Sequence, residues 1–145
     1  MPTAYSSTMF TEEVFGAQTR YYGKTYPASE PVARDKLGEQ ELEFIQTRDS
    51  FYLASVTSNG WPYVQHRGGP RGFLALVEPN VIGFADVRGN RQLITTGNLT
   101  RQDKVSLFLM DYHNQARLKI LGRAEIREGP GAKELLDELT MPGYK

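Results

Sequence analysis

The sequence predicts a mainly β protein with flanking helices, folded as a closed or nearly closed antiparallel barrel. About six segments rich in aromatic and β-branched residues follow one another between residues 51 and 127, which is typical of successive strands. Most of the connections between them are tight turns that contain glycine, proline or asparagine. Strands joined this closely pair antiparallel, because a parallel pair needs a long crossover connection.

The N-terminal part, residues 1 to about 37, is predicted to form a loosely packed arm of a single domain that spans residues 1–145. Residues 1–10 are small and polar and show no helical or strand period. Thr11 can cap a short helix, since its hydroxyl can accept from a free N–H of the first turn. Residues 20–34 carry three tyrosines and two prolines, which indicates an irregular surface arm. A partner subunit is one candidate to cover those tyrosines.

The remaining elements follow from turn signals and apolar spacing. A second helix is predicted at residues 38–48 and a last amphipathic helix at residues 132–139. Asn59-Gly60 is a hairpin signal, because both residues tolerate the positive φ of a tight turn. The predicted strands cover residues 51–57, 61–67, 73–77, 81–86, 104–110 and 117–127, the last with a bulge at Gly122.

The composition limits the function classes. The chain has 17 basic and 17 acidic residues, so its net charge is zero with neutral histidines, and binding of nucleic acid through bulk positive charge is not expected. The absence of cysteine and the presence of only two histidines leave no thiolate nucleophile and no histidine-rich metal site. No segment has the pattern of a signal peptide or a transmembrane helix. A cytoplasmic protein without nucleic-acid, metal or membrane partners is expected.

The stretch from Val81 to Leu99 is predicted to form a strand, a tight turn and the beginning of a short helix. Gly89 can take a positive φ, and Asn90 is a suitable N-cap for the helix. Free N–H groups at a helix N-terminus attract anions, and Arg88 and Arg91 place cations beside them. These residues are therefore interpreted as a phosphate-binding site. An ordinary capped helix with two solvated arginines is the alternative.

Polar residues also occur on the strand predicted at residues 61–67. Alternation places Gln65 and Arg67 on one face, where they could reach the polar edge of a flat ring, and His66 on the other face. His66 is either a hydrogen-bonded barrel or interface histidine or a ligand contact. Asp86 is either a structural acceptor for backbone N–H groups or part of the site. No Gly-x-Ser-x-Gly elbow, P-loop or Rossmann glycine pattern occurs, so no catalytic residue is identified.

The order of these segments resembles that of the FMN-binding split barrel and, more narrowly, of the proteins related to pyridoxamine 5′-phosphate oxidase, over about residues 51–127. In that family a strand of the form Phe-Tyr-Thr leads to Gly-Ser-Arg-Lys, whose side chains hold the FMN phosphate. The resemblance implies that Arg91 is the phosphate arginine, with Asn90 in place of the serine and Gln92 in place of the lysine. Arg88 could restore the missing cation. The segments that match here are Phe84-Ala85-Asp86 and Gly89-Asn90-Arg91-Gln92.

Two further FMN elements of that family match other strands. The arginine of an Arg-x-Val-Leu-Leu-Lys strand falls on Gln65, which leaves Arg67 as the cation of that strand. The glutamine of a Gln-Val-x-Val-x-Gly strand falls on Arg117. The residues implied to contact the cofactor are Gln65, His66, Arg67, Ala85, Asp86, Arg88, Asn90, Arg91, Gln92 and Arg117.

The resemblance implies an FMN-binding flavoprotein, an oxidoreductase that acts on an unidentified small molecule. Members of this fold usually pair so that each cofactor touches both subunits, so a homodimer with FMN at the subunit interface is expected. Polar donors near the ring would stabilise its reduced, partly anionic form. Two alternatives remain: a flavin-binding or sensing module without turnover, and the same fold with a deazaflavin or haem.

Overall fold

The computed structural model describes residues 3–24, 34–86 and 91–139. The chain divides into two compact units, Met1–Lys36 and Leu37–Lys145. The single domain over residues 1–145 stays a prediction. In chain order the elements are α1 (Ala4–Met9), α2 (Glu12–Tyr22), α3 (Glu39–Gln46), β1 (Ser50–Val56), β2 (Pro62–Gly68), β3 (Ala75–Glu78), β4 (Val81–Gly83), α4 (Ile94–Leu99), β5 (Lys104–Asp111), β6 (Ala116–Arg123) and α5 (Pro130–Glu138).

The first unit contains α1, a helix that the sequence analysis did not predict, whereas the loose packing of the N-terminal arm stays a prediction. Thr3 caps this helix: its hydroxyl accepts from the Ser6 N–H at 3.0 Å, and the Ser6 hydroxyl accepts from the Thr3 N–H at 3.1 Å. The first two N–H groups of the helix donate to the Asp35 carboxylate at 2.8 and 3.1 Å. The helix therefore depends on a carboxylate about thirty residues away, which no local pattern could indicate.

In α2 the predicted cap is confirmed. The Thr11 hydroxyl accepts from the Val14 N–H at 3.4 Å. The helix continues as far as Tyr22 and ends at Gly23, whose φ of 70° is the left-handed conformation of many helix ends. The prediction therefore places the start of the irregular arm, residue 20, too early. Residues 25–33 of that predicted arm lie outside the described residues.

The second unit is built on a four-stranded antiparallel sheet in the order β2-β1-β5-β6 and a two-stranded antiparallel sheet of β3 and β4. The hairpin predicted at Asn59-Gly60 joins β1 to β2, and Gly60 has the positive φ, 88°, that such a turn requires. α3 packs against β3, and α4 packs against β1. Within the described segments, no helix combines the length and the apolar character needed to cross a membrane.

The bulge predicted at Gly122 is wrong. Gly122 pairs with Val105 in an unbroken β5–β6 register, and β6 ends at Arg123 rather than at residue 127. A Cβ at Gly122 would meet nothing within 4 Å, so no close approach requires glycine there. The register shift lies instead between Leu76 and Glu78 of β3. An isolated glycine in a strand pattern was therefore a weak signal for a bulge.

The core lies on the face of the four-stranded sheet where alternate residues of β1 and β5 are buried, called here the inner face. Phe51 is 1% exposed, and its ring stacks on Phe73 with 5.6 Å between centroids. The Phe84 ring meets it edge-on at 5.2 Å. The core cluster comprises Ile45, Phe51, Leu53, Phe73, Leu74, Val105, Leu107 and Leu109.

The opposite side of the four-stranded sheet, called here the outer face, combines apolar and basic side chains. His66, Tyr52, Phe108 and Lys119 are successive cross-strand partners and form one row across it. Val64 on the same face is 62% exposed. Alternation puts lysine and arginine, but no carboxylate, among the described strand residues of this face.

The β5–β6 turn contains a carboxylate with strong local partners. The Asn114 side-chain amide and backbone N–H donate to Asp111 at 2.8 and 3.1 Å, and the Arg48 guanidinium lies 3.5 Å away. The hydrogen bonds from Asn114, together with the attraction of Arg48, hold the pKa of Asp111 below its ordinary value.

This lowered pKa predicts an acid dependence of stability. Since the pKa of Asp111 is lower in the folded chain, its stabilising contribution is present above the unfolded pKa of about 3.9 and is lost as the pH falls through the folded pKa. The wild type should therefore lose more free energy of unfolding than Asp111→Asn between about pH 5 and pH 2, measured by urea denaturation. Glu134→Gln, on the exposed side of α5, is the control. Identical profiles for wild type and Asp111→Asn would contradict this role of the turn.

Candidate functional site

The middle of β2 directs polar side chains to both sides of the sheet. Gln65 and Arg67 are half-buried on the inner face, opposite Leu53 and Phe51 of β1, whereas His66 is exposed on the outer face. The alternation predicted for these three residues is confirmed. Two hydrogen-bonding side chains therefore enter the margin of an otherwise apolar core.

Arg67 is held by two residues that follow β4. Its Nη1 donates to Asp86 Oδ1 at 2.6 Å, and its guanidinium carbon lies 5.5 Å from the centre of the Phe84 ring. The Arg67 side chain is 16% exposed and that of Asp86 is 51% exposed. Asp86 is thus paired with a guanidinium, and whether it also accepts from backbone N–H groups of the following turn stays open, because residues 87–90 lie outside the described residues.

Arg67 retains hydrogen-bonding capacity. Its Nε is the one buried side-chain nitrogen or oxygen without a hydrogen-bond partner in the part of the chain that the structure describes. A buried N–H without an acceptor costs about 1–3 kcal/mol. The guanidinium therefore has an unsatisfied donor at the place where β2 meets the end of β4.

α4 attaches to the sheet through hydrogen bonds as well as through Leu99, which packs against the core. Its two buried residues are Thr95 and Asn98. The Thr95 hydroxyl donates to Gln65 Oε1 at 3.1 Å, and Asn98 Nδ2 donates to Ser55 Oγ at 2.9 Å. Sequence reasoning missed these contacts, although the lack of an apolar stripe in this helix was the available signal.

The helix predicted to open after Asn90 begins later. α4 starts at Ile94, and its N-cap, Leu93, has a left-handed φ of 55° and makes no side-chain cap hydrogen bond. Arg91 also has a positive φ, 63°, so residues 91–93 do not continue a helix. The prediction of Asn90 as N-cap is wrong, and the positions of Arg88 and Asn90 lie outside the described residues.

Three other predicted contacts lie near this segment of the chain. Arg91 and Gln92 are exposed just before α4, which fits both a ligand contact and the alternative of a solvated arginine. Ala85 is 1% exposed, so its side chain fills the core, and only its backbone could serve a ligand.

Arg117 is not brought to the inner-face site within one chain. It pairs with Met110 on β6 and is exposed on the outer face, like His66. β6 and β2 are opposite edges of the sheet, about 14 Å apart at the usual strand spacing. The structure thus brings together Gln65, Arg67 and Asp86 and leaves Arg117 and His66 on the opposite face.

No group of three or more histidine, aspartate or glutamate side chains that could hold a metal occurs within the described parts of the chain. The arrangement suits a different ligand. A cation, an amide and backbone at a strand end can hold a flat polar ring by hydrogen bonds.

The comparisons with known proteins agree with this fold. Residues 37–141 match the model of the pyridoxamine 5′-phosphate oxidase family. The crystal structure of a candidate pyridoxamine 5′-phosphate oxidase from Lactobacillus delbrueckii is similar to this chain with a TM-score of 0.59 and 23% identity, over 77% of this chain and 87% of that chain. A tagged variant of HupZ from Group A Streptococcus is similar with a TM-score of 0.54 and 16% identity, over 73% of this chain and 87% of that chain. No curated protein matches the chain. The predicted fold class, a mainly β antiparallel split barrel with flanking helices, is confirmed.

Proposed function

The chain belongs to the pyridoxamine 5′-phosphate oxidase family, and from that premise we propose that it binds FMN non-covalently and acts as a flavin-dependent oxidoreductase on a small molecule. Its fold is related to that of flavin-binding oxidoreductases. FMN, when bound, supplies reversible two-electron transfer. The cytoplasmic location stays a prediction of the sequence.

The observation that carries the proposal is one donor of the Arg67 guanidinium, the Nε–H, which is left without an acceptor among the described residues while Nη1 is bound to Asp86. This Nε–H is buried, and Gln65 projects from the same face of β2. Flavin carbonyl oxygens and ring nitrogens are acceptors that such donors fit. The inner-face residues present are therefore compatible with the polar edge of a flavin ring.

The phosphate would be held by the segment that precedes α4. Arg91 is exposed there, and a guanidinium can donate two parallel hydrogen bonds to phosphate oxygens. Gln92 is a further donor from the same segment. Arg88 and Asn90 keep their proposed roles as a second cation and a hydrogen-bonding side chain beside the phosphate.

The proposed assembly is a homodimer with the cofactor at the subunit interface. The outer face supports it, because Val64 and Phe108 form part of an apolar surface beside Lys119. Arg117 lies on the same face and cannot join Arg67 within one chain, whereas a second copy could present it to that site. His66 would then lie in the interface.

One observation favours a second candidate, a flavin-binding or sensing module without turnover. The inner-face site contains no histidine, because His66 points to the outer face, and Asp86 is engaged by Arg67. A positioned general acid or base is thus not evident among the described residues of this site.

The test is an absorbance spectrum of the freshly purified protein, followed by titration of the cofactor-free protein with FMN and light scattering to measure its mass. Flavin bands or saturable FMN binding, together with a dimer mass, are expected. An intense Soret band would indicate haem instead, and a colourless protein that binds no added FMN would contradict the proposal. Oxidation of a nicotinamide donor by the FMN-loaded protein separates an oxidoreductase from a binding module.

A further inference from the structure

The Arg67–Asp86 pair places a carboxylate next to the cation that faces the proposed ring site. The two side chains meet at 2.6 Å, and the pair lies beside the Phe84 ring. A guanidinium bound to a carboxylate acts on its surroundings largely as a dipole, because the two charges nearly cancel at a distance. The site is therefore less positive than Arg67 alone would make it.

We propose that Asp86 is a positioning residue that acts through Arg67 to lower the preference of the site for reduced over oxidised FMN. The inference rests on the proposed function, since it requires that FMN binds. It assigns to Asp86 a role other than direct contact with the cofactor.

The physical reason is the charge that reduction creates. Two electrons from an external reductant and one proton convert the neutral oxidised ring into a ring with one negative charge. A nearby cation stabilises this anion more than the neutral ring, and a nearby carboxylate opposes that effect. Because Asp86 is 51% exposed, solvent screens its charge in part and the effect is moderate.

The geometry gives Asp86 a second effect on Arg67. Its hydrogen bond to Nη1 restrains the guanidinium, while Nε–H remains buried and without an acceptor. Fixing a long side chain in advance of binding lowers the entropy that a ligand must remove. Asparagine at this position keeps an acceptor oxygen for Arg67 but removes the charge, so it separates positioning from electrostatics.

The chain offers a matched control. Glu78, at the end of β3, pairs with Arg127 at 3.1 Å and is 53% exposed, close to the exposure of Asp86. Glu78 lies within the β3–β4 hairpin and Asp86 follows it, and both carboxylates pair with an arginine. Glu78→Gln therefore removes a comparable surface charge without touching Arg67.

The experiment measures the affinity for oxidised FMN by fluorescence titration and the midpoint potential of the bound flavin against a reference dye. Asp86→Asn is expected to raise the affinity for reduced FMN about tenfold relative to the affinity for oxidised FMN. For a two-electron couple this corresponds to a midpoint potential about 30 mV higher. The affinity for oxidised FMN should change by less than about threefold, and Glu78→Gln should leave the potential as in the wild type. Asp86→Ser serves as a second variant if the asparagine form does not fold.

A double-variant cycle tests whether Asp86 acts through Arg67. In the Arg67→Met background the Asp86 carboxylate loses the hydrogen bond that holds it beside the site and is screened by solvent, so the shift caused by Asp86→Asn should fall to less than half of its size in the wild-type background. An equal shift in both backgrounds, or an Asp86→Asn potential no higher than that of Glu78→Gln, would overturn the inference while flavin binding stands. Absence of FMN binding by the wild type would remove the proposed function itself, and the inference with it.

Discussion

Replacement of Phe51 by alanine is expected to lower the free energy of unfolding by about 3–5 kcal/mol. The side chain is 1% exposed, and its ring contacts both Phe73 and Phe84. Removing it takes away the burial of a large apolar surface and leaves a cavity that two rigid rings cannot fill by small shifts. Denaturant unfolding at a fixed protein concentration measures the loss, since dimerisation would make apparent stability depend on concentration.

Trp61→Ala is the matched control for the loss of an aromatic ring. Trp61 is 71% exposed beside the β1–β2 turn, so its removal should change the free energy of unfolding by no more than about 0.5 kcal/mol. Phe51→Leu should fall between the two. A loss for Phe51→Ala as small as that for Trp61→Ala would show that the core is not organised around this ring.

Replacement of Arg91 by alanine is expected to weaken FMN binding by about 1.5–3 kcal/mol, roughly 10- to 150-fold, which is the range of a charge-assisted hydrogen bond. Arg91 is exposed immediately before α4 and has a φ of 63°. Alanine carries a Cβ as arginine does, so the backbone strain at this φ is nearly unchanged and the lost affinity reports on the guanidinium.

Titration with FMN measures this effect, with Arg101→Ala as the control. Arg101 is an exposed arginine just beyond the other end of α4, and its removal should leave the affinity within about twofold of the wild type. Arg91→Lys keeps the charge but not the planar fork, so it should bind with intermediate affinity. An Arg91→Ala variant with wild-type affinity would reject the phosphate role of this residue.

Some local signals in the sequence predicted local features correctly, although the cap at Asn90 and the bulge at Gly122 were wrong. The cap at Thr11 and the hairpin at Gly60 each depend on residues within one turn, and both occur as predicted. The opposite faces of Gln65 and His66 follow from the two-residue period of any strand. The same period therefore predicts, from the sequence alone, on which face of β2 each candidate site side chain lies.

Features that depend on distant partners were not predictable in this way. α1 is held by Asp35, and Asp86 pairs with Arg67, 19 residues before it. Which carboxylate meets which cation depends on the path of the chain between them. The start of α4 at Ile94 was missed as well, because residues 91–93 leave the helical conformation while the helix is anchored through Thr95 and Asn98.

The sequence by itself determined the fold class, the succession of antiparallel strands along the chain and the faces on which Gln65, His66 and Arg67 lie, because strand periodicity and turn chemistry act over a few residues. Only the tertiary structure decided that Arg67 is held by Asp86 beside a buried, unpaired N–H, and that Arg117 lies on the far side of the sheet. Those outcomes depend on strand order and packing, where contacts between residues far apart in the chain compete for the same polar groups.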